Sequence, residues 1–121
     1  MPLHESGEDY LETLFVLEER SGGYVRQIDI AAKMGFSKAS ISKAMSTLNA
    51  EGYVEFGHRG TVRLSRKGRE VAKRINDRHR FFFKTLSDLG VPAEVAQRDA
   101  CRMEHAMSEQ SYQALKKELS R

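Results

Sequence analysis

Cys101, Glu104 and His105 stand at spacings i, i+3 and i+4. On one helix, that spacing brings the three side chains to one face, where they can converge on a point. Thiolate, carboxylate and imidazole are together the donor types of a transition-metal site. Two further acids, Asp9 and Glu12, are three residues apart near the N-terminus. His79 falls in the stripe of Ile75, Phe82 and Leu86, which leaves it partly buried and facing whatever packs on that stripe. Each residue also has a plainer use. Asp9 can cap a helix, Glu12 can be a surface acid, His79 a satisfied core histidine and Cys101 a small buried hydrophobe. The triplet also lacks the second histidine of the zinc-enzyme pattern His-Glu-x-x-His.

These residues must be positioned by a small frame. The chain has 121 residues, enough for one compact core or one domain with an appendage, and too few for two catalytic lobes. Hydrophobic residues make up 40% and charged residues 31%, which excludes membrane and disordered classes. No apolar run nears the ~18 residues a membrane span needs. The acidic start Met1–Glu8 does not read as a signal peptide. A single cysteine excludes an internal disulfide framework and fits a reducing, cytoplasmic setting. Charge is unevenly spread. Residues 1–19 carry six acids and no Lys or Arg, residues 20–80 carry 14 Lys/Arg against five acids, and the remainder balances. A basic middle of this kind predicts a polyanion-binding module, although an ordinary solvated surface would also account for it.

Ser6 with Asp9 resembles a capping box opening a helix with Leu11, Leu14, Phe15 and Leu17 on its apolar side, stopped by Gly22-Gly23. Ile28, Ala31 and Ala32 predict a short helix over Gln27–Met34, broken at Gly35. Ser37 then caps a helix to about Glu51, with Ile41, Met45 and Leu48 on one stripe. Two β-prone runs, Tyr53–Phe56 and Thr61–Leu64, flank a Gly-bounded tip and predict a hairpin. Two short helices and a following hairpin are a winged helix-turn-helix. Ser65 caps a long helix ended by Leu89–Pro92. A helix of roughly Ala93–Met107 follows, and Ser108 caps a last one carrying Tyr112, Leu115 and Leu119. The expected class is mainly α with a small β-hairpin wing. It comprises an N-terminal DNA-binding domain over residues 1–72 and a C-terminal helical metal-binding and dimerisation domain over residues 73–121.

With Ile41, Met45 and Leu48 inward, the Ser37–Glu51 helix turns Ala39, Lys43 and Ser46 outward, flanked by Ser40 and Ser42. Small polar residues let a helix backbone sit deep in a major groove, and a lysine can reach a guanine or a phosphate. Ser37, Lys38, Ala39, Ser40, Ser42 and Lys43 are therefore the expected DNA-reading set. Arg59 at the wing tip is placed for an adjacent backbone or minor groove. Val95, Met103, Met107 and the apolar side of the last helix exceed what so short a segment buries alone, which predicts a C₂ homodimer.

The order Glu8-Asp9-Tyr10-Leu11-Glu12, a winged helix containing Ser37-Lys38-Ala39-Ser40-Ile41-Ser42-Lys43, then Arg78-His79-Arg80 and finally Cys101-Arg102-Met103-Glu104-His105-Ala106-Met107-Ser108 resembles the diphtheria toxin repressor family. That family comprises metal-dependent transcriptional repressors, among them manganese transport regulators and iron-dependent regulators. The resemblance covers nearly the whole chain and is most specific in its last block. It implies that Asp9, Glu12, His79, Cys101, Glu104 and His105 are metal ligands that link the DNA-binding part to a dimerising part. The residues are a hybrid. Asp9 and Glu12 match the manganese branch, which has an acid where this chain has Cys101. The iron branch has the cysteine, but a Met where this chain has Asp9. The SH3-like third domain of many iron-type members is expected to be missing.

The expected function is metal-activated operator binding by a homodimer, in control of metal-ion homeostasis genes. Mn²⁺ is favoured, Fe²⁺ comes next, and one or two ions bind per subunit. The expected partners are double-stranded DNA and a second copy, with no membrane, no small organic substrate and no enzymatic activity. The alternative is a winged-helix regulator of a small organic ligand, with the acidic and histidine cluster merely structural.

Overall fold

Gly22, Gly35, Gly52 and Gly90, all at positive φ, punctuate the chain where its helices end. The computed structural model describes residues 5–120, so the first four residues of the acidic start lie outside it. The chain divides into two compact units, Met1–Lys73 and Arg74–Arg121.

The first unit holds α1 (Glu5–Ser21), α2 (Gln27–Met34), α3 (Lys38–Ala50), the strands β1 (Val54–Phe56) and β2 (Val62–Leu64), and the start of α4 (Arg66–Asp88). Its core is the set of apolar stripes that face inward. Leu11 and Leu14 of α1, Ile30 of α2, Ile41, Met45 and Leu48 of α3, and Val54, Val62 and Leu64 of the hairpin are buried. Each large side chain so enclosed contributes roughly 1.5–3 kcal/mol. β1 and β2 pair antiparallel with Val54 opposite Leu64 and Phe56 opposite Val62. Val25 adds a bridge to Val62, with N···O distances of 2.7 and 2.8 Å.

Two polar fixtures tie α4 into this unit. Ser65 Oγ donates to Gly52 O at 2.6 Å and accepts from Gly68 N at 3.1 Å, capping the helix. Buried Glu18 accepts from Arg69 Nη2 at 2.9 Å and from Leu64 N at 3.3 Å. A carboxylate so enclosed is tolerable because both oxygens are engaged.

The second unit comprises the rest of α4, α5 (Ala93–Met103) and α6 (Glu109–Leu119). Phe82, Ala100 and Tyr112 form its cluster, with Phe81, Phe83, Met103 and Met107 packed around them. Tyr112 meets Phe81 and Phe82 edge-on at centroid distances of 5.7 and 5.8 Å.

The fold class expected from sequence is the one observed: helices throughout, one hairpin wing and a helical C-terminal part. Several local expectations need correction. α1 begins by Glu5, so Ser6 lies inside its first turn instead of capping it. In α2 the buried residues are Ile30 and Ala31, while Ile28 is exposed. α5 stops at Met103, so Glu104 and His105 sit in the following turn and not on the helix with Cys101. Leu115 and Leu119 are exposed, and only Tyr112 of α6 is buried.

Candidate metal centre and nucleic-acid interface

In the second unit His79 comes from the middle of α4, Cys101 from the last turn of α5, and Glu104 from the residue that ends α5. Glu104 N still bonds Ala100 O at 3.0 Å, which preserves the one-turn offset from Cys101 although the helix ends there. Ligand atoms of His79, Cys101 and Glu104 all lie within 4.8 Å of one another. His79 Nδ1 is 3.0 Å from Glu104 Oε2 and 3.8 Å from Cys101 Sγ. The His79 ring stacks on Phe83 at 6.4 Å, which fixes its plane.

Glu104 is the feature most in need of an explanation. Its side chain is fully buried. Its Oε1 stands 3.2 Å from His105 Nε2 but accepts no hydrogen bond. A buried carboxylate oxygen left this way costs free energy unless a cation satisfies it. With an imidazole nitrogen and a thiolate sulfur close by, the donor set fits a divalent transition metal.

The turn carrying Glu104 and His105 is held from α4. Arg78 Nη1 donates to the carbonyls of Glu104 (3.1 Å) and Met107 (2.8 Å), and Nη2 donates to Glu109 Oε1 at 3.0 Å. The Gln113 amide, and then Arg78, hold the Glu109 carboxyl below its ordinary value. Ser108 caps α6 by accepting from Ser111 N at 3.1 Å.

Asp9 and Glu12 lie one turn apart on α1 in the first unit, both half-buried. Of the six residues expected as ligands, His79, Cys101 and Glu104 come together in the second unit, with His105 beside Glu104.

The first unit presents a second surface. With Ile41, Met45 and Leu48 buried, α3 exposes Lys38, Ala39, Ser40, Ser42 and Lys43. Its cap is Ser37, whose Oγ accepts from Ser40 N at 3.1 Å and donates to Ser40 Oγ at 2.9 Å. The N-terminal end of a helix attracts anions, and Lys38 adds charge there. A groove of about 900 Å³ runs beside it, lined by Lys38, Ala39 and Ser42 of α3, Arg26, Gln27 and Ile28 around the start of α2, and the wing tip His58–Thr61. Arg59 stands at that tip in a left-handed backbone conformation (φ 56°). Gln27 Nε2 donates to Gly60 O at 2.7 Å and joins α2 to the wing.

Sequence reasoning missed the α2 side of this groove. Arg26 and Gln27 carried no separate signal, since they read only as the polar start of a helix. Ile28, one of the residues whose spacing predicts α2, lies exposed on the groove wall.

A family model described as the iron dependent repressor N-terminal DNA binding domain matches residues 2–62. A second, described as the iron dependent repressor metal binding and dimerisation domain, matches residues 65–121. The chain is 35% identical over 109 residues to the transcriptional regulator MntR of Escherichia coli, covering 90% of this chain and 70% of that one. The solved structure of IdeR from T. acidophilum superposes with a TM-score of 0.81 at 27% identity, over 100% of this chain and 56% of its own. A manganese-dependent transcriptional repressor solved in complex with manganese superposes with a TM-score of 0.82 at 27% identity, over 94% and 52%. The chain thus spans just over half the length of these solved structures. With a winged helix matched to the DNA-binding model and a carboxylate–imidazole–thiol cluster inside the part matched to the metal-binding model, the chain belongs to the diphtheria toxin repressor family of metal-dependent, DNA-binding transcriptional regulators.

Proposed function

We propose that this chain is a repressor of metal-homeostasis genes that binds its operator as a cytoplasmic homodimer once Mn²⁺ or Fe²⁺ is held at His79, Cys101, Glu104 and His105. The observation that carries the reading is the fully buried Glu104 carboxylate, with one oxygen lacking a hydrogen bond, beside an imidazole nitrogen and a thiol. Asp9 and Glu12 complete the proposed ligand set on the strength of the sequence resemblance, and six ligands allow one ion or two. The bound cation supplies the positive charge that lets several carboxylates and a thiolate share one centre. The protein residues do the rest. Metal binding requires neutral ring nitrogens at His79 and His105 and a thiolate at Cys101, so binding weakens in acid. On the first unit, Ser37, Lys38, Ala39, Ser40, Ser42 and Lys43 enter the major groove, and Arg59 contacts the flanking backbone. Metal and operator affinities are then reciprocally coupled.

Titration of operator binding separately with Mn²⁺, Fe²⁺, Co²⁺ and Zn²⁺ tests the proposal, with Cys101→Glu as the informative variant. An all-oxygen-and-nitrogen set should keep or improve the Mn²⁺ response and lower Co²⁺ and Zn²⁺ affinity about tenfold or more. The native cobalt complex should show an intense near-ultraviolet thiolate band that the variant lacks. Operator binding that ignores all four metals would overturn the function, and a native cobalt complex without the band would remove Cys101 from the ligand set.

A further inference from the structure

His79 and Cys101 stand on helices, whose backbone hydrogen bonds hold them in place. Glu104 keeps one helical bond, its N to Ala100 O at 3.0 Å, but α5 ends there and the segment from His105 to Ser108 is a turn. Past Glu104 the helical ladder stops, and a bond from Ala106 N to Met103 O at 3.1 Å ties the turn back to α5. Arg78 supplies a further constraint. Its side chain is only 11% exposed. Its guanidinium spans the turn, binding the carbonyl of Glu104 at one end and that of Met107 at the other, then Glu109 on α6. It lies 4.9 Å from the Tyr112 ring centroid, which holds it from one side. A planar fork with several donors can make these bonds at once, and a lysine cannot.

We infer that Arg78 is a positioning residue of the metal centre, fixing the turn so that Glu104 and His105 are aimed before a cation arrives. The inference rests on the ligand assignment proposed above. Arg78 is next to His79 in sequence, so one turn of α4 carries both a metal donor and the clamp on the donors opposite. The sign of the effect is diagnostic. A cation near a cation-binding site opposes metal, so on electrostatic grounds alone its removal should tighten binding. Positioning predicts the reverse.

The test compares the native protein with Arg78→Met, Arg78→Lys and Glu109→Gln. Mn²⁺ affinity is measured by calorimetry, the Co²⁺ complex by absorption, and the metal-free protein by circular dichroism. Arg78→Met should weaken Mn²⁺ binding about tenfold or more. Arg78→Lys should recover only part of that loss, and Glu109→Gln should lose less than either. All should keep the cobalt–thiolate band, because Cys101 is on α5 and not in the clamped turn, while the visible bands that report Glu104 and His105 should shift. If Arg78→Met fails to fold, the other two variants decide on the same criteria. Native-like affinity in Arg78→Lys and Glu109→Gln, tighter binding in Arg78→Met, or lowered thermal stability with unchanged affinity and spectrum would each overturn the inference while leaving the ligand set intact. A native protein that binds neither ion would instead overturn the ligand set itself.

Discussion

The two units reach order by different means. The first encloses Leu11, Leu14, Ile30, Ile41, Met45 and Val62 completely, so apolar burial is the main source of its order, with buried Glu18 as a polar fixture. Its outward α3 face can then be polar and small without loss of stability. The second encloses fewer large side chains, Phe82, Ile75 and Tyr112, and leans on Arg78 for its geometry. It also leaves Leu89 (75%), Val95 (36%), Leu115 (39%) and Leu119 (56%) exposed. The proposed homodimer would cover part of that surface, and the match to a metal binding and dimerisation domain supports it. The contrast separates a unit closed by a large apolar core from one with a smaller core and a turn held by a buried guanidinium.

The largest effect expected is on the core of the second unit. Phe82→Ala should cost ~3–5 kcal/mol, and the melting temperature of the variant should depend strongly on protein concentration. Ile41→Ala in the first unit should cost ~2–5 kcal/mol with a concentration dependence no greater than that of the native protein. Calorimetric melts at a tenfold range of concentration read both. Equal concentration dependence in the two variants would erase the contrast.

How much of this was legible in the residues follows the same division. In the first unit, Gly35 and Ser37 mark where one helix ends and the next begins. The 3.6-residue spacing of Ile41, Met45 and Leu48 fixes which face of α3 is left outside. These signals are local, and the structure follows them. The choice between Ile28 and Ile30 was not local. Both suit a helix over Gln27–Met34, and the core decides between them. In the second unit, Cys101-Arg102-Met103-Glu104-His105 reads as continuous helix. What turns the chain there includes a bond from Arg78, 26 residues earlier, to Glu104 O. No pattern of neighbouring residue types announces such a bond. The chemical types of the site were therefore readable, whereas the backbone that aims two of them was not.

A middling effect is expected at the α3 surface. Lys43→Ala should weaken operator binding by ~1–3 kcal/mol and relax preference at one base pair per half-site, leaving the melting temperature within about a degree of native. Quantitative mobility shifts against operator and random duplex check this. A uniform loss on both sequences would reassign Lys43 to a phosphate contact, and no loss on either would misplace the recognition face.

The smallest effect concerns acid. Glu109 is held below its ordinary value by Gln113 first and then by Arg78. A depressed carboxylate contributes stability that is present above its unfolded value and fades as pH falls through the folded one. Glu109→Gln should therefore flatten the acid limb of the stability curve slightly and change nothing at neutral pH beyond the lost ion pair, which is half-exposed and weak. Denaturant melts between pH 3 and 7 on the ordinary carboxylate scale resolve it. A variant whose acid limb superposes on the native one would leave the Arg78 clamp without a titrating arm.

Arg59 sits at the wing tip with φ at 56°, a conformation in which its own Cβ crowds the backbone at a cost of about 1 kcal/mol. Gly60 beside it, at φ 73°, bears no such cost. A glycine at both positions would relax the loop and remove its guanidinium. That relief is set against glycine's larger unfolded-state entropy, so the strain at Arg59 is one of two opposing contributions of similar size.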